Sequence, residues 1–138
     1  MNVYAFSVKK QQIAPKKIYA IDTGLVKSVS FSFYENRGKL LKNLVFLNLR
    51  QKQKEIYYYK TKKGFEIDFY LPRKKMFIQV SSELTEELTK DRETRALEGG
   101  FKEVKGVKGL ILTEDTRGKV KVGGRLVEVK PIYEWLLL

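Results

Sequence analysis

The spacing of apolar residues changes along this chain, and each change marks an expected element. Residues 1–8 alternate weakly, with Val3 and Ala5 against Tyr4 and Phe6, which predicts a short strand. Residues 9–17 are polar and basic around Pro15 and are expected to form a loop. Ile18-Tyr19-Ala20-Ile21-Asp22-Thr23-Gly24-Leu25 predicts a short strand stopped by a glycine turn. The period then becomes helical. Glu35 or Asn36 can cap a helix over residues 36–53, with Leu40, Leu41, Leu44, Val45, Phe46 and Leu47 as a broad apolar face.

Three strands are expected next. Residues 55–60 are tyrosine-rich, and Lys62-Lys63-Gly64 is a turn. Residues 65–71 alternate, placing Phe65, Ile67 and Phe69 on one side and Glu66, Asp68 and Tyr70 on the other. After a second turn at 72–75, residues 76–82 set Met76, Ile78 and Val80 against Phe77, Gln79 and Ser81. A helix over 85–98 should pack Leu84, Leu88, Ala96 and Leu97 inward and stop at Gly99-Gly100. A buried strand is expected at 107–112, then a hairpin of 119–122 and 125–129 around Gly123-Gly124, and a short helix after Pro131.

From residue 36 the order is therefore helix, three strands, helix, strand. The links among the three strands are too short for crossovers, so these strands should be antiparallel. The helical link from the third strand to 107–112 allows a right-handed crossover, so those two should be parallel. The expectation is one α/β domain with a mixed central sheet and an αβββαβ core at about residues 36–113. Residues 1–35 would be an N-terminal extension, and 114–138 a C-terminal hairpin and short helix.

Composition narrows the chemistry. The chain has neither cysteine nor histidine, which excludes disulfides, thiolate or imidazole zinc sites and Ser-His-Asp catalysis. A metal would need oxygen ligands, favouring Mg²⁺, Mn²⁺ or Ca²⁺. No apolar run approaches a membrane span, and residues 1–10 lack a signal-peptide core, so a cytoplasmic protein is expected. Abundant Lys and Glu without Cys fits a hyperthermophilic source. The net charge is +12 and one-sided: residues 1–82 carry 17 Lys/Arg against 5 Asp/Glu, whereas 83–138 carry 11 of each. Such a field attracts polyanions, DNA above all, although a lysine-rich solvated surface has the same composition. Lys39, Lys42, Lys60, Lys62, Lys63, Arg73, Lys74 and Lys75 are the candidate phosphate contacts.

Site candidates sit on the second and third strands. Asp68, with Gln79 and Ser81 on the neighbouring strand, can converge on one face, and a carboxylate with a second oxygen ligand suits a hydrated Mg²⁺ that activates a water. Glu66 shares the strand face of Asp68, and Glu83 follows the third strand. The ordinary reading is a half-exposed strand whose acids pair with Lys60, Lys62 or Lys63. Tyr57-Tyr58-Tyr59 could stack bases, but such a run is more often partly core.

Several ordered motifs carry a resemblance. They are residues 18–25, Arg37-Gly38-Lys39-Leu40-Leu41-Lys42-Asn43-Leu44-Val45-Phe46, Gly64-Phe65-Glu66-Ile67-Asp68-Phe69, Ile78-Gln79-Val80-Ser81, Arg92-Glu93-Thr94-Arg95-Ala96-Leu97, Gly109-Leu110-Ile111-Leu112-Thr113 and Trp135-Leu136-Leu137. Together they resemble the C-terminal domain of archaeal AAA+ ATPases, which is similar to PD-(D/E)XK nucleases and archaeal Holliday junction resolvases. The resemblance implies a restriction-endonuclease-like fold. It puts Asp68 at the metal-binding aspartate, Gln79 at the second acid, Ser81 where a catalytic lysine would stand, and Lys42 where the helix usually has glutamate. Asp68, Gln79 and Glu66 would be metal ligands if the site were active. The two departures, Ser81 and Lys42, imply a degenerate site and a nucleic-acid-binding module. A Mg²⁺- or Mn²⁺-dependent endonuclease and a domain docking an ATPase are the alternatives. A homodimer is expected by analogy with the resolvases. No GxxxxGK[ST] occurs, so the chain should not hydrolyse ATP by itself.

Overall fold

The computed structural model describes residues 1–5, 7–19, 37–82 and 87–138. In chain order the elements are β1 (Asn2–Val3), α1 (Val8–Ile13), α2 (Arg37–Lys52), β2 (Tyr57–Lys60), β3 (Glu66–Leu71), β4 (Met76–Val80), α3 (Glu87–Glu103), β5 (Lys108–Thr113), β6 (Gly118–Val122), β7 (Arg125–Pro131) and α4 (Ile132–Leu136). The expected strand over 18–25, the cap at 35–36, Glu83, Leu84 and Thr85 lie outside the described residues, apart from Ile18 and Tyr19.

Among the described residues seven strands form one mixed sheet in the order β1-β2-β3-β4-β5-β7-β6. β2, β3 and β4 are antiparallel neighbours, and β4 runs parallel to β5, as the link lengths require. The flanking segments join the same sheet. β1 pairs parallel to β2, and the hairpin enters through β7, parallel to β5, leaving β6 at the edge.

Helices cover both faces. On one, α3 packs Ala96 and Leu97 against Ile67, Tyr70, Phe77 and Ile111. On the other, α2 and α4 pack Val45, Leu49 and Ile132 against Phe69, Leu71, Ile78 and Leu112. The apolar face of α2 is narrower than its sequence suggests. Val45 and Leu49 are buried with Leu41 and Phe46 against them, whereas Leu40, Leu44 and Leu47 are half-buried. No helix among the described residues is long and apolar enough to cross a membrane.

Three local expectations fail for identifiable reasons. The loop at 9–17 contains α1. Ser7 caps it by accepting the Lys10 N–H, and Ala14, extended before Pro15, ends it. A six-residue helix is too short to show a period. The pair Gly99-Gly100 does not stop α3, which runs on to Glu103. Gly100 is instead a contact residue: a Cβ there would lie 2.6 Å from Ile67 Cδ1 and 2.7 Å from Phe77 Cε2, so α3 crosses the sheet closely only because none is present.

The third failure shapes the site. The expected alternation of β3 would put Ile67 and Phe69 on one face, but Ile67 sits in the α3 core with Tyr70, and Phe69 in the α2 core with Leu71. Against β2, Tyr57 pairs with Tyr70 and Tyr59 with Ile67, so β3 carries one extra residue between them. A bulge of this kind shifts the side-chain alternation by one.

Candidate functional site

The bulge falls at Asp68 and Phe69, where β3 parts from β4. The β3–β4 pairing runs from Leu71↔Met76 to Phe69↔Ile78 and goes no further, while β4 continues along β5 through Gln79↔Ile111 and Val80↔Leu112. The Ser81 N–H extends that second ladder to Leu112 O at 2.9 Å. A fork therefore opens between β3 and β4, and side chains bridge it. Gln79 Oε1 accepts the Asp68 N–H at 2.8 Å, Gln79 Nε2 donates to Glu66 O at 3.3 Å, and Asp68 Oδ2 accepts the Val80 N–H at 2.9 Å. Buried backbone groups need partners, and here a carboxylate and an amide supply what the parted strands cannot.

The sequence thus places Asp68 and Gln79 together correctly, but not as two free ligands side by side. They interlock through main chain, and both are buried, as is Ser81. Glu66 is exposed and forms an ion pair with Lys17, not with the hairpin lysines.

Asp68 holds its negative charge against a lysine. Lys42, reaching over from α2, puts Nζ 2.9 Å from Asp68 Oδ1, and Lys17 Nζ lies 3.9 Å from the same oxygen. Lys42 is about one-third exposed at 35%. Tyr19 stacks on Phe46 at 4.4 Å and leans on Phe69. Burial, then the charges of Asp68 and Glu66, push its phenol well above the ordinary range, so it stays neutral.

Glu93 on α3 completes the cluster, and sequence reasoning did not single it out as a site residue. It is only 3% exposed. Oε1 accepts from Arg92 Nη2 at 3.2 Å, and Oε2 is buried with no hydrogen-bond partner. Burial raises its pKa first and the Asp68 charge second, while the neighbouring Gln79 amide, Arg92 and Lys42 pull it back. The available signal was an acid at 93 followed by the core residues Ala96 and Leu97, three and four positions on, which places all three on one side of a helix.

Among the described residues, the side chains as arranged do not fit a divalent cation. Among the described residues no three acidic side chains converge. Both Asp68 oxygens are engaged, and an ion on Oδ1 would meet the Lys42 ammonium. The arrangement is instead a carboxylate neutralised by a built-in cation, with a second, partly unsatisfied carboxyl buried beside it.

The candidate phosphate contacts divide between the two ends of the sheet. Lys60, Lys62 and Lys63 belong to the β2–β3 hairpin at the fork end, where Lys39 and Lys42 also lie on the first half of α2. Arg73, Lys74 and Lys75 form the β3–β4 turn at the other end, separated by the length of β3, about 17–20 Å. Arg73 is already paired with Glu55 at 3.1 Å. Beside the hairpin a cavity of about 490 Å³ is lined by Lys62, Lys63, Arg95 and Lys102 together with Glu98 and Glu103. Arg95 and Lys102 thus add cations from the charge-neutral part of the sequence. The tyrosines are largely used in packing: Tyr58 is buried with its hydroxyl on Pro15 O, and Tyr59 packs on Phe77 at 5.1 Å and donates to Glu103.

Residues 37–135 match a protein family described as a domain of unknown function, DUF4143. The chain is also 37% identical over 142 residues to the uncharacterized protein MJ1544 of Methanocaldococcus jannaschii. That match takes in 96% of this chain but 32% of the relative, so the chain spans about a third of the length of the curated protein it resembles. No solved structure matches.

Proposed function

The chain belongs to the DUF4143 family, and from that starting point we propose that it is a nucleic-acid-binding module with a degenerate nuclease site. In this reading the fold is restriction-endonuclease-like, of the PD-(D/E)XK kind found at the C-terminal end of archaeal AAA+ ATPases. The helix–three strands–helix–strand order and the fork at Asp68 are consistent with it. The observation that carries the proposal is the Lys42 ammonium 2.9 Å from Asp68 Oδ1. A lysine in that place opposes a metal and leaves the surrounding hairpin lysines to meet phosphates as fixed charges. Ser81 provides no cation where the resemblance implies a catalytic lysine, so in this reading hydrolysis lacks that group.

The test is fluorescence anisotropy with duplex, branched and single-stranded DNA, together with a nicking assay in Mg²⁺ and Mn²⁺. The expected result is affinity that falls linearly in log–log form as salt rises, by about tenfold or more between 50 and 200 mM, with no cleavage. Replacing Lys60, Lys62 and Lys63 by Glu should abolish binding. Nicking that requires Mn²⁺ and disappears in Asp68→Asn would overturn the proposal in favour of a metal-dependent endonuclease. Absence of salt-sensitive DNA affinity would overturn it in favour of a domain that docks a protein partner such as an ATPase.

A further inference from the structure

At the sheet end away from Asp68, a second cavity of about 490 Å³ opens between the last turn of α2, the start of β4 and β5, and α4. The volume lies within the ~300–1,000 Å³ common for small-ligand sites. Its inner wall is aliphatic, built from Leu49, Leu71, Ile78 and Leu110, with Trp135 of α4 at the side. Its rim carries four lysines, Lys52, Lys74, Lys108 and Lys130, against one acid, Glu128. Glu128 is taken by Lys130 at 3.5 Å, and Lys52 donates to Leu138 O at 3.3 Å. Lys74 and Lys108 have no carboxylate partner among the described residues.

We propose that this cavity binds a soluble amphiphilic anion, a molecule with one aliphatic chain and a carboxylate or phosphate head. The aliphatic wall would take the chain, since burying apolar surface from both sides is favourable and non-directional. Lys74 and Lys108 would hold the head at the mouth, where an ammonium keeps its own hydration while pairing with an anion. Gln53 is the one amide side chain in a lining otherwise built of apolar residues and rim charges, so an aliphatic chain fits it better than a nucleobase, which needs several convergent hydrogen-bonding groups. The site shares no element end with the Asp68 fork, so it stands or falls separately from nucleic-acid binding.

Trp135 is the single tryptophan of the chain and lines the cavity, so its fluorescence reports occupancy directly. Native protein would be titrated with monomeric decanoate, decyl phosphate, decanol and decyltrimethylammonium below their micelle concentrations, and separately with anionic phospholipid vesicles. Decanoate and decyl phosphate should saturate the signal, with the trimethylammonium analogue at least about tenfold weaker, as expected when the cationic rim repels a like charge. In the double variant Lys74→Glu/Lys108→Glu the preference for the anion should vanish, whereas Lys119→Glu on the outer strand β6 should leave it intact. Equal responses to anion and cation on the native protein would overturn the proposal without recourse to any variant. A response to vesicles with none to the monomers would overturn it in favour of a membrane-surface contact.

Discussion

The two ends of the sheet use lysine in opposite ways. At the fork end, Lys42 and Lys17 turn inward to a buried carboxylate, and the surrounding polar groups interlock the parted strands. At the other end, Lys74 and Lys108 ring an aliphatic cavity without carboxylate partners among the described residues. A count of charges therefore says how strongly the molecule attracts an anion from a distance, and nothing about which lysines remain free to hold one.

The largest effect should come from breaking the inward arrangement. Asp68→Ala removes the acceptor for the Val80 N–H and strands Lys42, and should cost about 2–4 kcal/mol in urea unfolding. Lys42→Met should cost less, about 1–2 kcal/mol, because its partly exposed ammonium is screened by solvent. The double variant should cost less than the two single costs combined. Strict additivity would mean that Lys42 is not the counter-ion of Asp68.

The next effect is one of pH. Glu93 binds its proton more tightly in the folded than in the unfolded chain, because burial and the Asp68 charge disfavour the carboxylate. The native fold therefore holds the extra proton between the ordinary value of 4.5 and the raised one, and stability falls as pH climbs through that window. Below 4.5 the contribution is fully present. Glu93→Gln should flatten the fall, so thermal unfolding of variant and native protein should diverge as pH rises above 4.5, the variant becoming the more stable. Parallel profiles would show that Glu93 does not feel the fork.

The smallest effect tests the outward end. Arg73 and Glu55 are well exposed, so Arg73→Ala should change stability by less than about 0.5 kcal/mol. It should also leave DNA affinity almost unchanged, whereas Lys62→Ala or Lys63→Ala should each lower the salt slope by about one unit. A larger loss from Arg73 than from Lys62 would reverse the assignment of the two ends.

Much of the framework was legible. Alternation in 76–82 gave the two faces of β4 correctly, since Ile78 and Val80 enter the α2 core and Phe77 the α3 core. Short links gave the antiparallel triplet, and the helical link gave the parallel pair. Asp68 and Gln79 were legible as neighbours because antiparallel register follows from the turn between them. The roles of Glu93, Arg95 and Lys102 were not, because they reach their ends of the sheet through a helix whose crossing angle no local pattern encodes. The Gly99-Gly100 pair misled for the same reason: a stop signal and a close-contact signal are the same residues, and only the distance to Ile67 and Phe77 separates them.

By itself the sequence determined the element order, the apolar faces of β4 and the absence of thiol and imidazole chemistry, because these depend on residue type and short-range spacing. The bulge in β3, the meeting of Lys42 with Asp68, the burial of Glu93 and the cavity beside Trp135 were decided by tertiary structure. Each of these depends on groups far apart in the chain sharing one low-dielectric space, and the energy of a charge or a strand pair there is set by what stands opposite it.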